Sequence, residues 1–413
     1  MEKHGILIVV CDGMGDRPSR KRDFQTPLSA ARKPSIDELA KTGSVGLMHP
    51  IGPGIRPGSD VAHFALLGYD PYECYTGRGA LEAVGAGIKI NPGDIAFRCN
   101  LATVNEKMIV KDRRAGRALQ GREELAKALN QMKMSAPHSS FEFVPTVEHR
   151  GVLILRRRGL SRRVSDTDPH TEGRAVQRSN PEDNSKESRL TAKILNEFTK
   201  KSYLALKNHP ANKERIKNGL PPANIVLSRG PGTIPSIETL TTKYSISAAC
   251  IGVTPIVRGI CRLAGMHLID VKGATGGLDT DYVAKVKAAV TAMEKYDLVF
   301  LHIKAPDVAG HNGDFEKKIW TIERIDEAME ALRSVDLNTH YIALTSDHAT
   351  PVAVKDHSAD PVPILIAGPD FDASGVAAFS ERTAATGNLG TILALNLMPI
   401  LMNMLGKIEK FGF

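Results

Sequence analysis

At 413 residues, 42% of them hydrophobic and 24% charged, the chain is longer than one hydrophobic core usually sustains and reads as globular, with two domains expected. Its five cysteines (Cys11, Cys74, Cys99, Cys250, Cys261) are odd in number, scattered and free of any CxxC pair, which argues against a disulfide framework or a zinc–cysteine site and for a reducing compartment, the cytoplasm. The net charge of +8 suits an anionic substrate, while 5% aromatics leave no stacking platform for nucleic acid.

The chain opens on "GILIVVCDG", an apolar run that ends at Asp12. The run is too short for the core of a signal peptide and predicts a strand buried on both faces, hence a largely parallel sheet. In "RPGSDVAHFALLGYDP" (56–71) a Pro-Gly turn leads into a short helix with Ser59 at its start. The simplest role for Ser59 is the N-cap, and a serine there also sees the positive end of the helix dipole. From about residue 91 to 243 arginines accumulate and strand-like pieces such as "FEFVPTVEHRGVLILRRR" appear. The polar stretch "SDTDPHTEGRAVQRSNPEDNSKES" then leads into an amphipathic helix with Leu190, Ile194, Leu195 and Phe198 on its apolar face. This predicts a smaller α+β domain, 91–243, inserted into a core of residues 1–90 and 244–413. The basic run "LRRRGLSRR" has no interleaved aromatic and reads as a solvated strand end.

Parallel α/β character returns with "ISAACIGVTPIVRGICRLAG". In "DLVFLHIKAPDVAGH" a strand ends near Asp307 and His311, at D-x3-H spacing; in "HYIALTSDHATP" another ends at the adjacent Asp347 and His348, and "KDHSADP" adds His357. Between them Ile319, Ile322, Ile325, Met329 and Leu332 recur at helical spacing, so strand, helix and strand form a βαβ unit. "PVPILIAG" predicts a further strand. The stretch "TILALNLMPILMNMLG" is broken by Asn396, Pro399 and Asn403, falls short of the ~18 residues of a membrane span, and predicts a helix packed internally or between subunits.

Asp12, Asp307, Asp347, His311, His348 and His357 therefore lie at or beyond strand ends, where open α/β sheets gather functional residues. Singly each has an ordinary role: Asp12 as a turn former, Asp307 as an N-cap, His348 as a core histidine. Together, carboxylates and imidazoles are ligands for Mn²⁺, Zn²⁺ or Mg²⁺, and six exceed what one catalytic ion with an open position takes, which implies two metals. Coordination would also make the Ser59 hydroxyl a competent nucleophile toward a phosphoryl group, so cap and nucleophile are compatible roles.

The segments "VVCDGMGDRP", "PGSDVAHFALLGYDP", "GRGALEAVGAGI", "DRRAGR", "SDTDPH", "KGATGGLDTDY", "HIKAPDVAGHNGD", "TSDHATP" and "GKIEKFGF" together resemble the cofactor-independent phosphoglycerate mutases of the archaeal type, in the alkaline phosphatase superfamily, over nearly the whole length. The resemblance implies an alkaline-phosphatase-like core with a mostly parallel sheet flanked by helices. It also implies interconversion of 3- and 2-phosphoglycerate through a phosphoserine on Ser59, without 2,3-bisphosphoglycerate. By the family pattern, Asp12, Ser59, Asp347 and His348 would surround one divalent metal and Asp307, His311 and His357 the other, with Mn²⁺ expected and Zn²⁺, Co²⁺ or Mg²⁺ as alternatives. For the substrate's anionic groups the candidates are Arg98, Arg113, Arg114, Arg117, Arg229 and Lys272, and Asp168 and His170 would handle hydroxyl protons.

Bacterial-type relatives carry Gly-Asn-Ser-Glu around the nucleophile. Here Gly58 stands where the asparagine would be and Asp60 where the glutamate would, a departure that bears on any auxiliary contact made by that asparagine. The rivals are a phosphatase, which would not need so arginine-rich an insertion, a phosphopentomutase, which places threonine at the nucleophile, and a kinase-like relative acting on an amino-acid hydroxyl. A nucleic-acid or anion-binding module with a structural metal site is disfavoured, because such a site is closed by four ligands and brings no activated serine. The expected partner is a small phosphoglycerate, with no nucleic acid or membrane, and with self-association left open.

Overall fold

The computed structural model describes residues 5–117, 119–135, 140–410 and 412. Residues 1–4 of the amino-terminal run, and Phe411 and Phe413 of the tail motif, lie outside the described residues. The chain forms two compact units, residues 1–75 with 236–413, and residues 76–235. Both divisions fall earlier in the chain than the 90/91 and 243/244 boundaries read from composition. At the first, the helix Arg78–Gly85 packs on the strands Ile95–Val104 and Ile225–Gly232 of the smaller unit. Gly79 permits that contact: a Cβ there would lie 2.2 Å from the Ala96 carbonyl oxygen.

The larger unit holds an eight-stranded sheet. Its order is Gly390–Leu393, Ser44–His49, Val362–Ala367, His340–Thr345, Gly5–Cys11, Leu298–Ile303, Ala248–Ile251 and His267–Leu268. Pairing is parallel except where Val362–Ala367 runs antiparallel to both its neighbours. Leu7, Val9 and Cys11 pack into a core with helix residues Val286, Ile322 and Ile325, while Ile6, Ile8 and Val10, on the opposite face, are buried as well. Burial on both faces is what the unbroken apolar runs require.

Register then gathers the chemistry. Val10 pairs with Thr345 and Cys11 with Ile303, so the three central parallel strands end level with one another. The residues that follow them, Asp12, Lys304 and Ser346–Asp347, emerge side by side.

The helix Phe315–Met329 contributes more than its apolar stripe. Fully buried Lys318 donates to the Gly15 and Thr350 carbonyls, both at 3.0 Å, and to Asp16 Oδ2 at 2.9 Å, tying together the loops that follow two of the central strands. The apolar carboxyl-terminal stretch divides. Gly390–Leu393 is a strand beside Ser44–His49, and the helix begins only at Leu397, because the β-branched Thr391 and Ile392 complete a sheet edge instead of a helix turn. Among the described residues, no helix is long and apolar enough to cross a membrane.

The smaller unit is an antiparallel five-stranded sheet. Ile95–Val104 pairs with Arg150–Arg156, Ile225–Gly232 and Val110–Asp112, and Ser140–Pro145 pairs with Arg150–Arg156. One face is covered by the helix Lys186–Leu206, capped by Ser185 and burying Ile194, Leu195 and Phe198 against Phe97, Phe143 and Leu153. The basic run begins at the end of a strand, where Arg156 is paired with Asp94 and Glu142.

Because Lys318 compensates a buried carboxylate and two carbonyls at once, Lys318→Met should lower stability by about 3 kcal/mol or more, measured by urea titration of the metal-free protein. A loss under about 0.5 kcal/mol, the scale of a surface change, would show that the loops are held without it.

Candidate active site

Asp12 follows the central strand and is 1% exposed. Its Oδ2 lies 2.8 Å from His302 Nε2 and 2.9 Å from Lys304 Nζ. Lys304 also reaches Asp307 Oδ2 at 2.6 Å. The other Asp307 oxygen, Oδ1, accepts from Thr350 Oγ1 at 2.7 Å and lies 3.4 Å from His311 Nε2 and 3.6 Å from His357 Nε2. His348 Nε2 stands 3.1 Å from Asp347 Oδ2, 3.1 Å from Ser59 Oγ and 3.6 Å from Asp12 Oδ1.

The three imidazoles share an orientation. Nδ1 of His311 faces the Lys355 carbonyl and that of His357 the Pro57 carbonyl, both at 3.0 Å, while Nδ1 of His348 faces Thr350 Oγ1 at 3.1 Å. A carbonyl can only accept, so Nδ1 of His311 and His357 carries the proton and Nε2 keeps a lone pair for a metal.

Among the described residues, donor atoms within 4.8 Å of one another make three groups: Asp12, Asp347 and His348; Asp307, His348 and His357; and His311, Asp356 and His357. His348 is common to the first two, and Asp356 is a member that sequence reasoning did not propose. Asp347 Oδ2 is buried with no hydrogen-bond partner, so the donor set and this orphaned oxygen both fit a divalent cation. Burial works against ionisation of Asp307, and Lys304 and His348 overcome it, holding its pKa well below the usual carboxylate range. Asp347 is likewise held down, against burial, by His348. Burial also opposes the charge of Lys304, and Asp12 and Asp307 outweigh it, raising the pKa of the ammonium.

Ser59 is not the N-cap. It is the first residue of the helix Ser59–Leu66, and Gly58 occupies the cap position without a side-chain bond. The hydroxyl is thereby free of capping and turns to His348. One turn on, His63 places Nδ1 2.6 Å from the Ser59 carbonyl and 3.6 Å from Asp347 Oδ2; burial pulls its pKa down to about 4, against the pull of Asp347. A Cβ on Gly58 would come within 2.4 Å of Asp60 Oδ1, so a side chain there would require the Asp60 carboxylate to turn. Asp60 is buried and accepts from Tyr75 Oη at 2.8 Å.

The arginine candidates lie in the smaller unit. Arg113 grips Asp168 with two bonds, Nε to Oδ1 at 2.9 Å and Nη2 to Oδ2 at 2.6 Å, and Arg229 Nε approaches Asp168 Oδ2 at 4.0 Å. Asp168 is fully buried; burial alone would raise its pKa, but Arg113 and the His170 amide lower it. It is therefore built to hold Arg113, and its ability to take up a proton is suppressed. Arg98 and Arg229 occupy paired positions on neighbouring strands, and the buried Nε of each has no hydrogen-bond partner. Burial lowers the pKa of Arg98 to about 9, against the pull of Glu82, which still leaves a cation at neutral pH.

Arg114 and Arg117 are exposed, Arg117 beside Glu148 at 3.3 Å. His170, at φ +60°, is half exposed with Nε2 2.9 Å from Asp166 Oδ2. Lys272 is exposed in a turn of the larger unit. Sequence reasoning missed His63, His302, Lys304 and Thr350; a histidine and a lysine inside the apolar run "LVFLHIKAPD" were the available signal for two of them.

An α/β sheet whose parallel strands bring carboxylates and imidazoles to a buried serine has the arrangement that phosphoryl transfer requires. Residues 40–212 match the family model described as 2,3-bisphosphoglycerate-independent phosphoglycerate mutase. A protein of that name from Methanothermobacter thermautotrophicus is 46% identical over 409 residues, 98% of this chain and 99% of the relative. A second, from Methanocaldococcus jannaschii, is 46% identical over the full length of both. Among solved structures, a protein from Pyrococcus horikoshii superposes with TM-score 0.86 at 36% identity over 100% of both chains. The cofactor-independent phosphoglycerate mutase of Thermoplasma acidophilum superposes with TM-score 0.71 at 38% identity, covering 98% of this chain and 100% of that one. The chain belongs to the 2,3-bisphosphoglycerate-independent phosphoglycerate mutase family.

Next to the arginines, His149 is buried and its Nδ1 has no hydrogen-bond partner; burial first, and then Arg150, lower its pKa to about 4. Below pH ~6.5 the unfolded chain binds a proton here that the folded chain refuses, so this contribution to stability is full above that pH and is lost as pH falls toward 4. The difference in unfolding free energy between wild type and His149→Gln should therefore change with pH between 4 and 6.5 and level off above. A constant difference across that range would show that His149 titrates normally.

Proposed function

We propose that the chain interconverts 3-phosphoglycerate and 2-phosphoglycerate by passing the phosphoryl group through Ser59, assisted by two divalent cations. Asp12, Asp347, His348 and Ser59 would hold one, and Asp307, His311 and His357 the other, with Mn²⁺ the expected ion. The observation that carries this reading is the Ser59 hydroxyl, free of any capping duty, at 3.1 Å from His348 Nε2 within the buried carboxylate–imidazole cluster. Bound there, the cations would supply Lewis acidity, lowering the pKa of a hydroxyl and neutralising charge on a transferring phosphoryl group.

The chain's own residues account for the remaining steps. Ser59 loses its hydroxyl proton and Oγ forms a bond to phosphorus as the bond to the substrate's ester oxygen breaks, and that oxygen takes up a proton to become a glycerate hydroxyl. The glycerate turns, its other hydroxyl loses its proton and bonds to phosphorus as the Ser59 Oγ–phosphorus bond breaks, and Oγ takes a proton back. The glycerate carboxylate suits Arg98 and Arg229, whose buried Nε atoms make no hydrogen bond and have only Glu82 at 3.3 Å and Asp168 at 4.0 Å beside them, and Arg113, which Asp168 holds in a fixed fork. Arg114, Arg117 and Lys272 are more exposed and suit outer steering of the anion. Of the two candidates for the hydroxyl protons, His170 is the better suited, since Arg113 suppresses the basicity of Asp168. The reaction is a step of glycolysis and gluconeogenesis, and five buried free cysteines agree with a reducing cytoplasm.

Ser59→Ala should reduce mutase turnover by at least about a thousandfold, since the nucleophile is gone, yet cost only about 1 kcal/mol of stability for one lost hydrogen bond. Turnover within tenfold of wild type, in the coupled assay from 3-phosphoglycerate, would remove Ser59 from the reaction. Removal of metal by chelator should abolish turnover, and Mn²⁺ should restore it. Full activity in protein shown to be metal-free by elemental analysis would overturn the two-cation reading.

A further inference from the structure

We infer that Lys304 is a built-in counter-ion of the metal site, which stabilises its carboxylates and competes electrostatically with the cations they bind. The inference rests on the two-cation reading above and concerns a residue to which that reading gives no part. Lys304 follows the strand Leu298–Ile303, and its ammonium lies 2.9 Å from Asp12 Oδ2, 3.0 Å from Asp12 Oδ1 and 2.6 Å from Asp307 Oδ2. Asp12 and Asp307 belong to different candidate metal groups, so one cation touches a ligand of each.

The two carboxylates meet Lys304 differently. Asp12 shares both oxygens with it, while Oδ2 also faces His302 and Oδ1 lies 3.6 Å from His348 Nε2; Asp307 turns Oδ2 to Lys304 and leaves Oδ1 beside His311 and His357. On Asp307 the ammonium therefore takes the oxygen away from the imidazoles, and on Asp12 it bears directly on the oxygen that faces His348. Its position gives it two effects of opposite sign. Asp12, Asp307 and Asp347 are at most 2% exposed, and buried like charges repel strongly in a weakly screened interior, so a cation among them stabilises the assembled site. The same charge repels any divalent ion that approaches those oxygens, so it weakens metal affinity.

The test is Lys304→Met, which keeps the length of the aliphatic stem and removes the charge, with Lys304→Gln as a second neutral variant and Lys304→Arg as the charge-retaining control. Two quantities are measured: the melting temperature in excess chelator, and the Mn²⁺ dissociation constant and stoichiometry by competition with a fluorescent chelator. Both neutral variants should melt several degrees lower than wild type in chelator and bind Mn²⁺ at least about tenfold more tightly, as removal of a nearby like charge requires. Lys304→Arg should stay close to wild type in both. A neutral variant that melts lower but binds Mn²⁺ equally or less tightly would reduce Lys304 to a structural brace and overturn the inference, as would unchanged melting. Should wild type bind a single Mn²⁺, the two-cation reading falls, and the Lys304 comparison is still decided on that one site.

Discussion

An ionised carboxylate taken out of water costs several kcal/mol unless charge and hydrogen bonds replace its hydration, and the larger unit places Asp12, Asp307 and Asp347 together at no more than 2% exposure. Much of the surrounding architecture answers that cost. Asp347 Oδ1 accepts from the Gly13 and His348 amides, Asp307 from Thr350, and Asp12 faces His302 and Lys304. Asp347 Oδ2 has weaker support, with no backbone or hydroxyl donor and only the imidazoles of His348 at 3.1 Å and His63 at 3.6 Å beside it. A fold selected for stability alone would pair that oxygen or replace the carboxylates with apolar side chains. The cost makes sense where a cation supplies the missing charge.

The register of the central strands converts this electrostatic arrangement into a fold requirement. Gly5–Cys11 lies between two parallel partners, and because all three end level, their first polar residues arrive at one place. A shift of one residue would move Asp12 out of level with Lys304 and Asp347, so the register of these strands also fixes the site. Lys318 acts on the same loops from the helix side through two backbone carbonyls and Asp16.

The same register explains which parts were legible in the sequence. Asp12, Asp347 and His348 stand directly after apolar runs, and Asp307 only a few residues beyond one, so sequence order reports their spatial position. Ser59 could be placed at a helix start, but whether its hydroxyl caps the helix depends on the helix beginning at Ser59 itself, with Gly58 as cap, and on the distant His348, which is not local information. His302 and Lys304 were hidden for a different reason: they sit in or against a strand that reads as pure core, and only pairing with Asp12 across the sheet gives them a polar purpose. The unit boundaries escaped composition because "GRGALEAVGAG" has the small-residue character of either unit. Only the close approach of Gly79 to Ala96 assigns it to the smaller one.

The smaller unit presents a second electrostatic cost, of the opposite sign. Arg98 and Arg229 face each other across an antiparallel pair, an arrangement that is unfavourable for like charges, with Glu82 and Asp168 the nearby acids. Neither buried Nε makes a hydrogen bond, the acids standing 3.3 Å and 4.0 Å away. For a protein that only hydrolysed a phosphate ester this would be wasted, since the alcohol is free to leave once phosphorus has been transferred. Mutase chemistry is more demanding, because the same alcohol must remain, turn, and attack again before water does. Charge-assisted bonds to its carboxylate, each worth roughly 1.5–3 kcal/mol, are the available means of holding so small and polar a molecule while leaving its hydroxyls free to exchange places.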